Sequence, residues 1–333
     1  MRGVRSRVLA LFVVASAAVA ACGSGGSNAS GSKATTPKTT TSGGGSGEVA
    51  AETASFDLAA GPPARYLVGV LTPDQRGISF GTAQVRFCFL GADKASGPCQ
   101  YGAPTTAAFL PVPGSPPPPP GAAPQVISST ESKGVYAAQA AFDKAGFWRA
   151  EVSLALDGKR QQTTTDFQVL DHHAIPFVGD PALPTENLTA STPNTPPAAV
   201  DSRASAGGLI PDPELHQTTI AAALASHRPV VVVFATPVYC ISRFCGPTTD
   251  MVQQLAKTYG DRASFIHVEI WHDYQKQQVN KAAADWLFRN NDLTEPWVFL
   301  IGADGKIAAR WDNVANQSEI ESTLKALPVI GKG

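Results

Sequence analysis

The stretch Val230–Pro247, VVVVFATPVYCISRFCGP, decides the fold of the C-terminal part of this chain. Its first five residues, Val230–Phe234, are all apolar, which is typical of a strand buried on both faces, as in a parallel sheet. Cys240 and Cys245 follow, and Pro247 suits the first position of a helix. Because a helix N-terminus stabilises a thiolate, a cysteine pair at this junction indicates thiol chemistry.

The residues around this stretch alternate between strand and helix patterns. Met251, Val252, Leu255 and Tyr259 share one helix face, and Gly260 ends it. The predicted order is β-α-β-α-β-β-α, preceded by a short helix. The strands are predicted at Val230–Phe234, Ser264–Trp271, Trp297–Ile301 and Lys306–Trp311.

That order, with a cysteine pair after the first buried strand, resembles the thioredoxin fold. The run EPWVFL from Glu295 to Leu300 matches the place where thioredoxin-like proteins carry a cis-proline beside their cysteines. The resemblance covers about Leu215 to Leu327. It implies that Pro296 and Tyr239 border a substrate groove.

The same resemblance implies that Cys240 and Cys245 are catalytic and exchange disulfides through a mixed disulfide. No cofactor is expected, and the partner would be a protein substrate or a redox partner. Glu269, the acidic residue in an apolar run, is a candidate proton acceptor, and a strand-end glutamate that faces solvent or binds the loop of Trp297 is the alternative.

The cysteine spacing departs from the Cys-x-x-Cys motif of thioredoxin-like proteins. Residues five apart in a regular helix point about 140° away from each other, so residues 241–244 must include an irregular turn if the pair is bonded. A second alignment is open, since Phe244–Thr248 (FCGPT) resembles Trp-Cys-Gly-Pro-Cys. The attacking sulfur is therefore Cys240 or Cys245, and the distance from the strand favours Cys240.

Two alternatives use the same cysteines differently. The chain could be a copper-handling module on a thioredoxin fold, or a non-catalytic binding module with a structural disulfide. His267 and His272 are five apart, so they do not share a face of a strand, and the chain has two methionines. No metal site is predicted.

The N-terminus resembles an exported bacterial lipoprotein. Arg2, Arg5 and Arg7 precede the apolar run Val8–Ala21, and small residues lead to Cys22. The resemblance implies a signal peptide at 1–21, lipidation of Cys22 and anchoring to the extracytoplasmic face of the cell membrane. An ordinary cleavage site with an incidental cysteine is the alternative.

The remaining segments complete a multidomain prediction: an all-β Ig-like sandwich followed by an α/β thioredoxin-like domain. Residues 22–54 are a Gly/Ser/Thr-rich flexible tether, 55–170 are the sandwich, 171–213 are an interdomain linker, and 214–330 are the thioredoxin-like domain.

Without Cys22, four of the five cysteines remain as two near pairs, which predicts a structural disulfide between Cys88 and Cys99. The net charge of −1 and the lack of a basic stripe argue against nucleic acid.

Overall fold

A computed structural model of the chain describes residues 49–93, 98–127, 133–204, 208–242 and 244–328. The predicted signal peptide, Cys22 and most of the predicted tether lie outside these residues. Strand predominates over helix in the described part. None of the helices in that part is both long and apolar enough to cross a membrane.

Residues 49–170, here called the β half, form one antiparallel sheet. Its strands are β1 Ala50–Thr53, β2 Ala64–Leu71, β4 Thr82–Gly91, β5 Thr105–Pro111, β7 Gly134–Ala140, β8 Gly146–Leu156 and β9 Lys159–Val169. A separate ribbon pairs β3 Ile78–Ser79 with β6 Gln125–Val126. The strand order is β1-β2-β7-β5-β4-β8-β9, and the two edge strands approach each other. The all-β prediction is confirmed, but the strands form one nearly closed sheet and not two facing ones.

Local sequence explains the long β8–β9 hairpin. Asp157 and Gly158 both have positive φ angles, 50° and 74°, which the two central residues of a type I′ turn require. In β9, buried and more exposed residues alternate, so one face of the strand points into the core. That core is rich in aromatic side chains. The rings of Phe142 and Phe167, for example, pack edge to face with their centroids 5.5 Å apart.

Residues 171–328, the α/β half, contain a four-stranded mixed sheet flanked by helices. Its strands, in the order β11-β10-β14-β15, are β10 Val230–Ala235, β11 Ser264–Glu269, β14 Trp297–Ile301 and β15 Ile307–Asp312. A small ribbon joins β12 Trp271–Asp273 to β13 Gln278–Val279. The helices are α1 Pro197–Val200, α2 Ile220–Ala225, α3 Cys245–Tyr259, α4 Lys281–Leu287 and α5 Gln317–Ala326.

The central strand β10 has the burial that its sequence predicts. All six of its residues are fully buried. β10 pairs in parallel with β11 and antiparallel with β14. The end of β10 therefore lies inside the molecule, and the loop that carries Cys240 follows it.

Two predicted segments make more contacts than a flexible tether or a free linker would. The tether was predicted to reach residue 54, but Ala50–Thr53 forms β1, because Ala51 is buried and the backbone pairs with β2. The predicted linker, 171–213, is part of the α/β half. It bonds to the β14–β15 turn, where the Ala182 N–H donates to the Gly305 carbonyl at 2.9 Å, and it buries Val200 and Asp201.

Candidate functional site

Cys240 and Cys245 form a disulfide with their Cα atoms 6.0 Å apart. Cys240 lies in the loop after β10, and Cys245 is the first residue of α3. Residues 241, 242 and 244 lie outside the helix, so the irregular turn that the spacing required is present. The helix begins two residues earlier than predicted, which leaves Pro247 in the first turn, where a missing N–H costs no hydrogen bond.

The two cysteine residues differ in their exposure to solvent. Cys245 is fully buried, whereas Cys240 is partly exposed. The apolar side chains beside Cys240 are open to solvent, with Ile241 78% and Val238 53% exposed. A molecule arriving from solvent therefore meets Cys240 first.

Of the two predicted groove residues, Tyr239 lies in the cysteine loop and Pro296 directly precedes β14. Tyr239 stacks on Tyr274 with ring centroids 3.9 Å apart and an angle of 2° between the ring planes. The Glu295–Pro296 peptide is cis, as the resemblance implied, and Pro296 is buried at the start of β14.

Glu295 is the site residue that sequence reasoning missed. One of its carboxylate oxygens and the sulfurs of Cys240 and Cys245 all lie within 4.8 Å of one another. Its Oε2 accepts a hydrogen bond from the Thr236 N–H at 3.0 Å. Burial, together with the nearby charge of Glu269, raises the pKa of Glu295 to about 8. Its position directly before the predicted cis-proline is the one sequence signal that could have found it.

Glu269, the predicted proton acceptor, is not in the group formed by the two sulfurs and Glu295. It is only 1% exposed, so it does not face solvent. Its Oε2 accepts from the Ser202 N–H at 2.8 Å, and burial raises its pKa.

Ser202 connects Glu269 to the cysteine loop. The Ser202 hydroxyl accepts from the Val238 N–H at 3.2 Å and from the Thr236 hydroxyl at 3.4 Å. Thr236 in turn binds Glu295 through its N–H and Cys240 through its carbonyl. A polar chain thus runs from Glu269 to the disulfide, and its central member comes from the segment predicted to be a linker.

The other predicted cysteine pair is also bonded. Cys88, on β4, joins Cys99 with a Cα–Cα distance of 5.7 Å. The predicted separation of His267 from His272 also holds, since His267 is buried and His272 is exposed.

Comparison of the chain with protein-family models, with curated proteins and with solved structures gives no match.

Replacing Glu295 by glutamine is expected to change how stability depends on pH. The folded-state pKa of Glu295, about 8, lies above the ordinary value of 4.5. Between these two pH values the folded protein holds a proton that the unfolded chain releases, so this group lowers stability as pH rises. We expect Glu295→Gln to match the original protein at pH 5 and to be more stable than it at pH 9.

Chemical unfolding at the two pH values measures this effect. Glu186→Gln, at an exposed glutamate, is the matched control and should follow the original protein at both. Equal stabilities of Glu295→Gln and the original protein at pH 9 would show that Glu295 is not held in an unfavourable buried position.

Proposed function

We propose that this chain is a thiol–disulfide oxidoreductase. In this proposal the α/β half is a thioredoxin-like domain, the β half is a module that spaces or docks it, and a lipid on Cys22 holds the protein on the extracytoplasmic face of the membrane. One observation carries the proposal. The Cys240–Cys245 disulfide lies at the start of α3, with the carboxylate of Glu295 within 4.8 Å of both sulfurs.

The reduced protein would start with Cys240, the accessible sulfur. Its thiolate attacks one sulfur of a substrate disulfide, the substrate S–S bond breaks, and a mixed disulfide forms while the other substrate sulfur leaves as a thiolate. The Ser202-bound loop holds Cys240 in place, and the Ser242 hydroxyl lies 3.2 Å from its Sγ, where it can donate to the thiolate.

The buried sulfur of Cys245 would complete the reaction. It must lose its proton before it can attack, and burial disfavours the charged thiolate. Glu295 is the nearby acceptor, and its pKa of about 8 makes its carboxylate a stronger base than an ordinary one. Cys245 then attacks Cys240 Sγ, the substrate sulfur leaves, and the protein is oxidised while the substrate is reduced to two thiols.

The same steps run in reverse when the oxidised protein meets a substrate dithiol. Pro296 and Tyr239 border the place where the substrate chain would lie. Exposed Ile241 and Val238 add apolar surface next to Cys240, which suits a protein substrate with apolar residues around its cysteine.

Metal handling is the second candidate, because the reduced thiols and Glu295 form a group of three potential ligands. Tight binding of one equivalent of Cu(I) by the reduced protein, without disulfide exchange, would favour this function. The non-catalytic alternative predicts neither binding nor exchange.

The proposed function predicts that the full chain accelerates reduction of insulin disulfides by dithiothreitol. The measurement is the rate of insulin precipitation with catalytic amounts of protein. A Cys88→Ala/Cys99→Ala variant is the control and should keep the activity, because that pair lies in the β half. A rate equal to that of dithiothreitol alone would reject the oxidoreductase function.

A further inference from the structure

A second cluster of ionisable side chains lies in the α/β half and has no part in the exchange steps above. It consists of Asp201, which follows α1, of His216, and of His267 in β11. All three side chains are completely buried. One ligand atom from each lies within 4.8 Å of the other two.

The hydrogen bonds fix the orientation of His267. Its Nε2 lies 3.0 Å from the Ala235 carbonyl, an acceptor, so Nε2 carries the proton and donates it. In the neutral ring the lone pair is then on Nδ1, which faces Asp201 Oδ2 at 3.4 Å. Metal-binding histidines are commonly held in this way, with the second ring nitrogen donating to a carbonyl.

Three ring nitrogens of the two histidines lack hydrogen-bond partners among the described residues. Within the part of the chain that the structure describes, neither ring nitrogen of His216 nor Nδ1 of His267 has a hydrogen-bond partner. Leaving such groups unpaired inside a protein costs about 1–3 kcal/mol each. An electron-pair acceptor placed between Asp201 and the two nitrogens that face it, His216 Nε2 and His267 Nδ1, would remove the cost for these two.

The distances from the Asp201 carboxylate to the two imidazoles fit a metal ion bound between them better than a shared proton. Asp201 Oδ2 is 3.4 Å from His216 Nε2 and 3.4 Å from His267 Nδ1. A proton shared between a charged imidazole and a carboxylate brings the heavy atoms to about 2.7–2.9 Å. Two ligands about 2.1 Å from a tetrahedral zinc ion are about 3.4 Å apart.

The surrounding charges also suit a cation. Arg203 binds both oxygens of Asp201, with Nη2 2.7 Å from Oδ2, and this orients the carboxylate. The guanidinium is also paired with Asp212 at 2.5 Å and with Asp250 at 3.2 Å. With both histidines neutral, the three aspartates and Arg203 together carry a net charge of −2 (−3 plus 1).

We propose that Asp201, His216 and His267 bind one divalent transition-metal ion of the zinc type. Two imidazole nitrogens and one carboxylate oxygen suit zinc and its neighbours, and the absence of sulfur from the cluster argues against Cu(I). Three protein ligands leave a position for a small ligand such as water. The ion would brace the cysteine loop, because Ser202 follows Asp201 and Ala235 precedes Thr236.

Zinc titration of the chelator-treated full chain tests the proposal. We expect binding of one equivalent of Zn²⁺ by calorimetry, and a rise of about 5 °C in the unfolding midpoint at a hundredfold excess over Kd. His216→Gln and His267→Gln should lose both effects. His227→Gln, at an exposed histidine, is the matched control and should keep them.

X-ray absorption of the zinc-loaded original protein provides a result that does not depend on whether the histidine variants fold. Only nitrogen and oxygen should surround the zinc, and a Cys240→Ser/Cys245→Ser variant should bind it equally well. The proposal would be overturned by sulfur next to the zinc, by binding that survives in both histidine variants, or by the lack of stoichiometric binding in the original protein. The cysteine variant separates this site from the proposed exchange activity, because it should bind zinc while lacking exchange.

Discussion

Cys240→Ser is expected to reduce disulfide exchange to the uncatalysed rate, a loss of roughly three orders of magnitude or more, because the attacking sulfur begins the covalent pathway. Cys245→Ser should behave differently. Its Cys240 thiolate can still attack, but no second sulfur resolves the mixed disulfide, so the protein accumulates as a covalent complex with its substrate. Nonreducing electrophoresis and mass spectrometry after incubation with oxidised insulin distinguish the two variants.

This pair of variants also decides between the two alignments of the motif. The burial of Cys245 and the partial exposure of Cys240 favour attack by Cys240. If Cys240→Ser accumulates the covalent complex and Cys245→Ser does not, then Cys245 is the attacking sulfur and the assignment made here is wrong.

Arg310→Met is expected to lower the free energy of unfolding by about 3–5 kcal/mol, because it leaves the buried carboxylate of Asp57 without its counter-charge. Arg310 Nη1 lies 2.8 Å from Asp57 Oδ2, and the two side chains are only 8% and 1% exposed. Burial alone would raise the pKa of Asp57, but the hydrogen bond from His173 and the charge of Arg310 hold the pKa below its ordinary value. The pair joins the β half to β15 of the α/β half.

Urea unfolding measures this loss, with Arg76→Met as the control. Arg76 forms an ion pair with Asp74 at 2.7 Å, but the two side chains are 53% and 61% exposed, and such pairs contribute about 0–1 kcal/mol. Equal losses in the two variants would contradict the role given to Arg310. A loss in Arg310→Met that disappears when Asp57→Asn is added would support it, since the neutral amide needs no counter-charge.

Much of the α/β half could be predicted because its signals are local. The apolar run Val230–Phe234 predicts a fully buried strand, and β10 is one. The spacing of Cys240 and Cys245 required an irregular turn, and the bonded pair spans one.

The electrostatic part of the site could not be predicted in the same way, because it depends on contacts between distant segments. Glu269 and Glu295 are both acidic residues near strand ends, and only the pairing of β10 with β11 and β14 decides which one lies beside the sulfurs. Ser202 lies in a segment rich in proline, alanine, serine and threonine, which has no periodicity to indicate burial. Its contact with Glu269 spans 67 residues.

The reduction potential of the Cys240–Cys245 disulfide is the measurement that tests the proposed exchange function most directly. Equilibration of the full chain with glutathione or dithiothreitol buffers, followed by alkylation and peptide mass spectrometry, reports both disulfides in one sample. We predict a potential between about −270 and −120 mV for Cys240–Cys245, the range of known exchange proteins, and a value below about −300 mV for Cys88–Cys99, as in structural disulfides. A Cys240–Cys245 potential below about −300 mV would contradict the account and identify this pair as a second structural disulfide.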